Sequence, residues 1–208
     1  MRRLLLLLLA TGLLFACERT PPQYPVLPAG STVLAFGDSV THGTGAPDGA
    51  DFPARLAALS QWRVINAGVP GDTAAAARHR LLPLLEEHRP ALVLVELGGN
   101  DFLRRRSTAA VKEDLRAILG KVRAHGAQPV LVAVPAPSAF GAVTGRLSDA
   151  QLYRELAEEE AVPLVAGVFS EVLSQDDLRA DRIHPNAAGY RRFAEGLADS
   201  LRRHGLLE

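Results

Sequence analysis

The chain has 208 residues, of which 48% are hydrophobic and 22% charged, and its 23 basic and 23 acidic side chains give a formal net charge of zero at pH 7. Length and composition fit one globular domain of ordinary size. Without a strongly basic region, the counterion release that drives nucleic-acid binding is missing, and nucleic acid is excluded as a partner.

Arg2 and Arg3 precede an apolar run from Leu4 to Ala16. At roughly 13 residues the run is too short for the roughly 20 that a spanning helix needs, and it has the size of the core of a secretory signal. Residues 1–16 read as a signal peptide. The run ends in Leu14-Phe15-Ala16-Cys17, which resembles the lipobox of bacterial lipoproteins, where the cysteine is lipidated and becomes the mature N-terminus. Phe15 departs from the smaller residue usual there, and a plain signal peptide with an incidental cysteine is the competing reading. Cys17 is the only cysteine, so no intramolecular disulfide forms and no thiol competes as a nucleophile. Residues 17–30 carry Pro21, Pro22, Pro25 and Pro28, which favours an extended spacer over a packed element. Several acyl chains at Cys17 would hold the chain at a membrane. The expected protein is exported and periplasmic or cell-surface, with residues 31–208 as its folded domain.

Val33 to Phe36 is a short apolar run that reads as a buried strand, stopped by Gly37. Ser39 follows at the strand end, the place where ligands bind in open α/β sheets. Its hydroxyl can attack a substrate, and its own backbone N–H can stabilise the charge that attack creates. Gly-Asp-Ser is also ordinary turn composition, and Ser39 needs support from elsewhere in the chain. Thr41 to Gly49 reads as a loop at the edge of the site. Within it Gly43 and Gly45 begin a phosphate-cradle pattern that Asp48 breaks, and no P-loop lysine follows. His42, close to Ser39 in sequence, reads as a rim histidine rather than its base.

Asp51 to Gln61 has helical spacing of Phe52, Leu56 and Leu59, with Asp51 as cap and Pro53 in the first turn. Arg63 to Val69 is the second strand, followed by Pro70-Gly71-Asp72-Thr73 and an alanine-rich helix to about His88. Leu81, Leu82, Leu84 and Leu85 are expected on its buried side, and Pro83 marks a kink or break. Gly71 can offer a free amide to an anion where strand gives way to helix, although a plain loop glycine fits as well.

Ala91 to Leu97 is the most apolar strand and is expected at the centre of the sheet. Its Glu96 needs a backbone or basic partner, because an unpaired carboxylate inside a sheet is costly. At its end, in Gly98-Gly99-Asn100-Asp101, Asn100 can point a side-chain N–H at the site or close an Asx-turn. Arg104 to Arg106 form a solvated face or meet an anionic head group. Helices follow at about Thr108 to His125 and from Ser148, as cap, to Glu160; strands run over Gln128 to Val134 and Val162 to Val168. The long loop from Pro135 to Arg146 lies over a strand end, where such loops shape substrate pockets. Asp181-Arg182-Ile183-His184-Pro185-Asn186 opens a C-terminal helix reaching about His204. There Asp181 can accept from Nδ1 of His184 and leave Nε2 facing a nucleophile, or the two residues can simply cap the helix. Five strands alternating with helices imply a three-layer α/β/α sandwich on a flavodoxin-like parallel sheet. A flavodoxin-like electron carrier is disfavoured by the low aromatic content, and a metal hydrolase by the lack of histidines at ligand spacing.

Taken in order, GDSV, Gly71-Asp72, GGND and Asp181 to His184 resemble the SGNH, or GDSL-type, hydrolase family. The likeness is greatest to its bacterial periplasmic acyl-ester hydrolases, the thioesterase I, lysophospholipase L1 and arylesterase group. The resemblance implies a serine esterase acting through an acyl-enzyme on carboxylic esters, lysophospholipids or thioesters, with no cofactor. It assigns Ser39 as nucleophile, His184 as general base, Asp181 as its orienting acid, and Ser39, Gly71 and Asn100 as oxyanion-hole donors. Valine after the serine, where the family has leucine, is expected to affect packing and not chemistry. A carbohydrate O-acyl esterase on the same fold, and a ligand-binding lipoprotein without catalysis, are the alternatives.

Overall fold

A computed structural model describes residues 24–136 and 145–208. The leader, Cys17 and most of the loop from Pro135 to Arg146 lie outside the described residues. The five strands are β1 (Thr32–Gly37), β2 (Arg63–Gly68), β3 (Leu92–Glu96), β4 (Gln128–Val132) and β5 (Leu164–Val165), all parallel, in the order β2-β1-β3-β4-β5. β3 is central, as its unbroken apolar run suggests, and all five of its residues are buried. Parallel strands buried on both faces read as continuous apolar runs because helices cover each side.

Among the described residues the α-helices are α1 (Ser39–His42), α2 (Phe52–Ser60), α3 (Ala74–His88), α4 (Gly99–Leu103), α5 (Thr108–Ala124), α6 (Gln151–Glu160), α7 (Val168–Leu173) and α8 (Ala187–Arg203). α2, α7 and α8 pack together, where Phe193 stacks on Phe169 and meets Phe52 with ring centroids 4.9 Å apart. α3, α5 and α6 form the other layer. Chain order runs from β1 outward to β2 and then back to β3, so the strand ends of β1 and β3 border a topological switch point. Register aligns Gly37 with Gly68 on one side and with Glu96 on the other, which places the loops after β1, β2 and β3 along one edge.

Two glycines allow α1 to fold back onto that edge. A Cβ on Gly37 would stand 1.9 Å from Thr41 Oγ1, and one on Gly68 would stand 2.1 Å from the His42 amide nitrogen, both far inside contact distance. Arg80 of α3 then ties the strand ends together: it donates to the carbonyls of Gly37 and Ala67 and to Asp72, and its guanidinium lies 4.4 Å from the Phe36 ring centroid.

Several expectations are corrected. Thr41 and His42 belong to the short helix α1, not to a loop, because Asp38 caps it by accepting from the Val40 amide. Pro83 lies inside an unbroken α3, and Leu82 is exposed; the buried side is Ala74, Ala77, Leu81 and Leu85. Ser148 does not cap α6, which starts later at Gln151. The Ser148 carbonyl accepts from the Ala136 amide and Asp149 bridges antiparallel to Pro135, which keeps that stretch extended. β5 is only two residues long, since Gly167 at φ 79° turns the chain into α7 at Val168. Residues 24–28 form no helix or strand and 29–30 turn into β1, yet the segment is anchored at Leu27, which is buried, whose amide donates to the Leu206 carbonyl and whose carbonyl accepts from the Trp62 indole.

Candidate active site

Ser39 is the first residue of α1, so its N–H is one of the donors a helix start leaves without an intrahelical acceptor. His184 comes from the loop before α8. The carbonyl of His184 accepts from the amides of Ala180 and Asp181, and Asn186 caps α8 by accepting from Ala188 and Gly189, so the loop is held at both ends. Across 145 residues of sequence, His184 Nε2 lies 2.9 Å from Ser39 Oγ. Behind it, Nδ1 lies 2.8 Å from Asp181 Oδ2. With Nδ1–H donating to the carboxylate, Nε2 is left to accept the serine proton. The second oxygen of Asp181 accepts from the amides of Ile183 and His184. Burial raises the Asp181 pKa, and the bonds from His184 and these amides together outweigh it and hold the carboxyl below its ordinary value. The reading of Asp181 and His184 as helix caps therefore falls; Asn186 does that work.

Asn100 sits in α4 and is not closing an Asx-turn. Its Nδ2 donates to Asp38 Oδ2 at 2.9 Å, which fixes the amide and leaves its second proton free. Asp38 is 3% exposed. Desolvation pushes its pKa up to about 6, against the opposing pull of the Val40 amide, Asn100 and His184. Beneath it Glu96 is fully buried and accepts from the Thr41 hydroxyl at 2.9 Å. Burial, then the neighbouring Asp38, drives the Glu96 pKa well above its ordinary value. Its partners are thus the Thr41 hydroxyl and backbone amides, not a base.

Gly71 occupies the turn between β2 and α3 at φ 84°, a conformation that favours glycine. Its carbonyl accepts from Arg104, and no hydrogen bond among the described residues links it to Ser39 or Asn100. Asp101, beside Asn100, is fully buried and accepts from the Ala74 amide and from Arg106, so it joins the loop after β3 to the start of α3. Of the three arginines expected to face solvent or an anion, Arg104 and Arg106 are therefore committed to the scaffold. Sequence reading missed Asp38, Arg80, Asp101 and the Thr41 hydroxyl on Glu96, whose backbone partners it did expect. Asp38 was visible as the neighbour of Ser39, but nothing in a linear motif says that its carboxylate will meet Asn100, 62 residues on.

A cavity of about 700 Å³ opens over Ser39 and His184. Asn100 lines it, and much of the remaining wall is apolar, from Phe102, Leu103, Val134, Leu147, Phe169 and Leu173. Among the described residues no three His, Cys, Asp or Glu side chains group to hold a metal ion, and no helix is long and apolar enough to cross a membrane. A hydroxyl 2.9 Å from an imidazole nitrogen, N–H donors near it and a cavity with apolar side chains in its wall together suit nucleophilic attack on an acyl carbonyl.

The model of the GDSL-like Lipase/Acylhydrolase family matches residues 35–192. Thioesterase 1/protease 1/lysophospholipase L1 of Escherichia coli strain K12 is 36% identical over 178 residues, covering 83% of this chain and 84% of its own length. Esterase TesA of Pseudomonas aeruginosa strain PAO1 is 35% identical over 182 residues, covering 84% and 89%. A crystal structure of TesA superposes with a TM-score of 0.72 at 33% identity, covering 83% of this chain and 99% of that one. The chain belongs to the GDSL-like lipase/acylhydrolase family and is an enzyme that hydrolyses acyl esters.

Proposed function

We propose that Ser39 is the nucleophile, His184 the general base and Asp181 the acid that orients it. The observation that carries this reading is the continuous chain from Asp181 Oδ2 through the imidazole to Ser39 Oγ, at 2.8 and 2.9 Å. Ser39 Oγ attacks the ester carbonyl while Nε2 takes its proton; the imidazolium then protonates the departing alcohol, leaving an acyl-serine. Water, activated by the same nitrogen, attacks the acyl-serine and releases the acid. The negative oxygen of each tetrahedral intermediate is stabilised by the Ser39 amide, the Gly71 amide and the free Nδ2 proton of Asn100.

The apolar wall favours acyl chains longer than acetyl, and the relatives named for lysophospholipids and thioesters favour lysolipids and acyl thioesters as further substrates. Export and lipid anchoring at Cys17 are supported by the basic start, the apolar run and the lipobox-like Leu14 to Cys17. An anchored enzyme would meet lysolipids at the membrane surface. Hydrolysis of p-nitrophenyl esters from acetate to dodecanoate, with Ser39→Ala and His184→Ala in parallel, tests the reading. The expected result is a medium-chain optimum and loss of turnover in both variants. Turnover surviving in either would remove that residue from its role, and an acetate optimum would favour a sugar O-acyl esterase.

A further inference from the structure

The basic side chains around the site differ in what holds them. Arg80, Arg104 and Arg106 are tied to backbone carbonyls or buried carboxylates. Of those lining the cavity, Arg179 is ion-paired with Asp176. Arg182 stands apart. It lines the same cavity two residues before His184, is exposed, and has no hydrogen bond or ion pair among the described residues. Asp181 takes the His184 ring and two amides, Asp176 takes Arg179, and among the described residues no ion pair joins Arg182 to the exposed Asp177. All five N–H donors of Arg182 are therefore available at a cavity whose wall sets Phe102, Leu103, Val134 and Leu173 beside the polar Asp176 and Arg179.

Which part of a substrate they meet follows from the chemistry of His184, and so rests on the reading proposed above. The base that takes the serine proton returns it to the departing oxygen or sulfur, so the leaving group lies on the His184 side of the scissile bond. Arg182 lines the same cavity, and its backbone, two residues from His184, is within about 7 Å of that base, inside the reach of an arginine side chain. A planar guanidinium matches a phosphate with two parallel N–H bonds, a geometry that a neutral alcohol cannot offer. We propose that Arg182 binds a phosphate carried by the leaving group. Two sources share this chemistry: a lysophospholipid, and a soluble acyl thioester of the coenzyme A type.

The test compares substrates with the same octanoyl chain, in pairs that differ in the phosphate: octanoyl-glycerol phosphate against octanoylglycerol, and octanoyl-coenzyme A against the octanoyl thioester of N-acetylcysteamine. The quantity read is the ratio of kcat/KM within each pair, so that a general loss of activity cancels. Arg182→Ala is expected to lower the ratio about tenfold, Arg182→Glu further, and Arg182→Lys less than either. Raising ionic strength to about 0.5 M should shrink the ratio of the unaltered protein and leave that of Arg182→Ala where it is. A fall in the glycerol pair alone identifies the lysolipid, in the thioester pair alone the soluble thioester, and in both a phosphate on either carrier. Equal ratios in the unaltered protein and Arg182→Ala, in both pairs, would overturn the proposal. A failure of the serine reading would look different, because Ser39→Ala would then keep its turnover on the neutral esters.

Discussion

Exchanging Asp38 for asparagine should make stability less sensitive to pH, because the carboxylate is held where its charge is unwelcome. Asp38 is 3% exposed and lies over the buried Glu96, and its pKa is pushed up to about 6 from an ordinary 3.8. Between those two values the native state binds more protons than the unfolded chain, so the stability contributed at this position falls as pH rises through the window. At about 1.4 kcal/mol per tenfold change in the protonation equilibrium, the ionised carboxyl lowers native stability by about 3 kcal/mol above pH 6, most of which is relieved near pH 4. Asparagine cannot ionise, but its amide meets the donor of Asn100 and leaves a buried group poorly paired, which costs about 1 to 3 kcal/mol at every pH. The useful quantity is therefore a double difference. Urea denaturation of both proteins at pH 4 and pH 8 should show the variant gaining about 2 to 3 kcal/mol relative to the unaltered protein on going from pH 4 to pH 8. A gap between the two proteins that does not change with pH, or that moves the other way, would refute the account of Asp38 as a strained buried acid.

Other consequences can be read with simpler assays. Asn100→Ala removes the side-chain donor from the proposed oxyanion site, and kcat on p-nitrophenyl octanoate should fall about 100- to 1000-fold while the circular dichroism spectrum stays native. Asp181→Asn leaves the imidazole without its carboxylate, and kcat should fall by up to about ten-thousandfold, with KM nearly unchanged. Arg80→Ala unties Gly37, Ala67 and Asp72 at once and takes the cation from the Phe36 ring, so a loss of about 2 to 4 kcal/mol in urea denaturation is expected. Gly68→Ala would press a methyl group into the His42 amide, and it should lower both Tm and turnover because α1 carries Ser39.

β1 and β3 were legible because burial on both faces leaves unbroken apolar runs, whereas β2 is an edge strand with no buried residue; all three begin within a residue or two of where Val33, Arg63 and Ala91 suggested. Short elements were not. α1 is four residues long and exists because Asp38 caps it and Gly37 and Gly68 clear space beneath it, contacts that no periodicity records. Ser148 had the chemistry of a helix cap, yet a bridge between Pro135 and Asp149 kept its neighbourhood extended. At the site, Ser39, Asn100 and His184 were legible as polar residues at strand or helix ends, and Asp181 by its spacing from His184. The layer that fixes them was hidden, since Asp38 to Asn100, Thr41 to Glu96 and Asp101 to Ala74 are pairings between distant segments that only folding creates.

The central claim is that Ser39 carries the acyl group, and a fluorophosphonate reagent tests it most directly. Such a reagent reacts with a serine hydroxyl only when a base activates it and N–H donors receive the resulting oxyanion. Mass spectrometry of the labelled and digested protein should find one adduct, on the peptide containing Ser39, with loss of esterase activity in proportion to labelling. Labelling should vanish in Ser39→Ala and slow sharply in His184→Ala. Stoichiometric labelling on another residue, or full ester turnover with Ser39 labelled, would contradict the account.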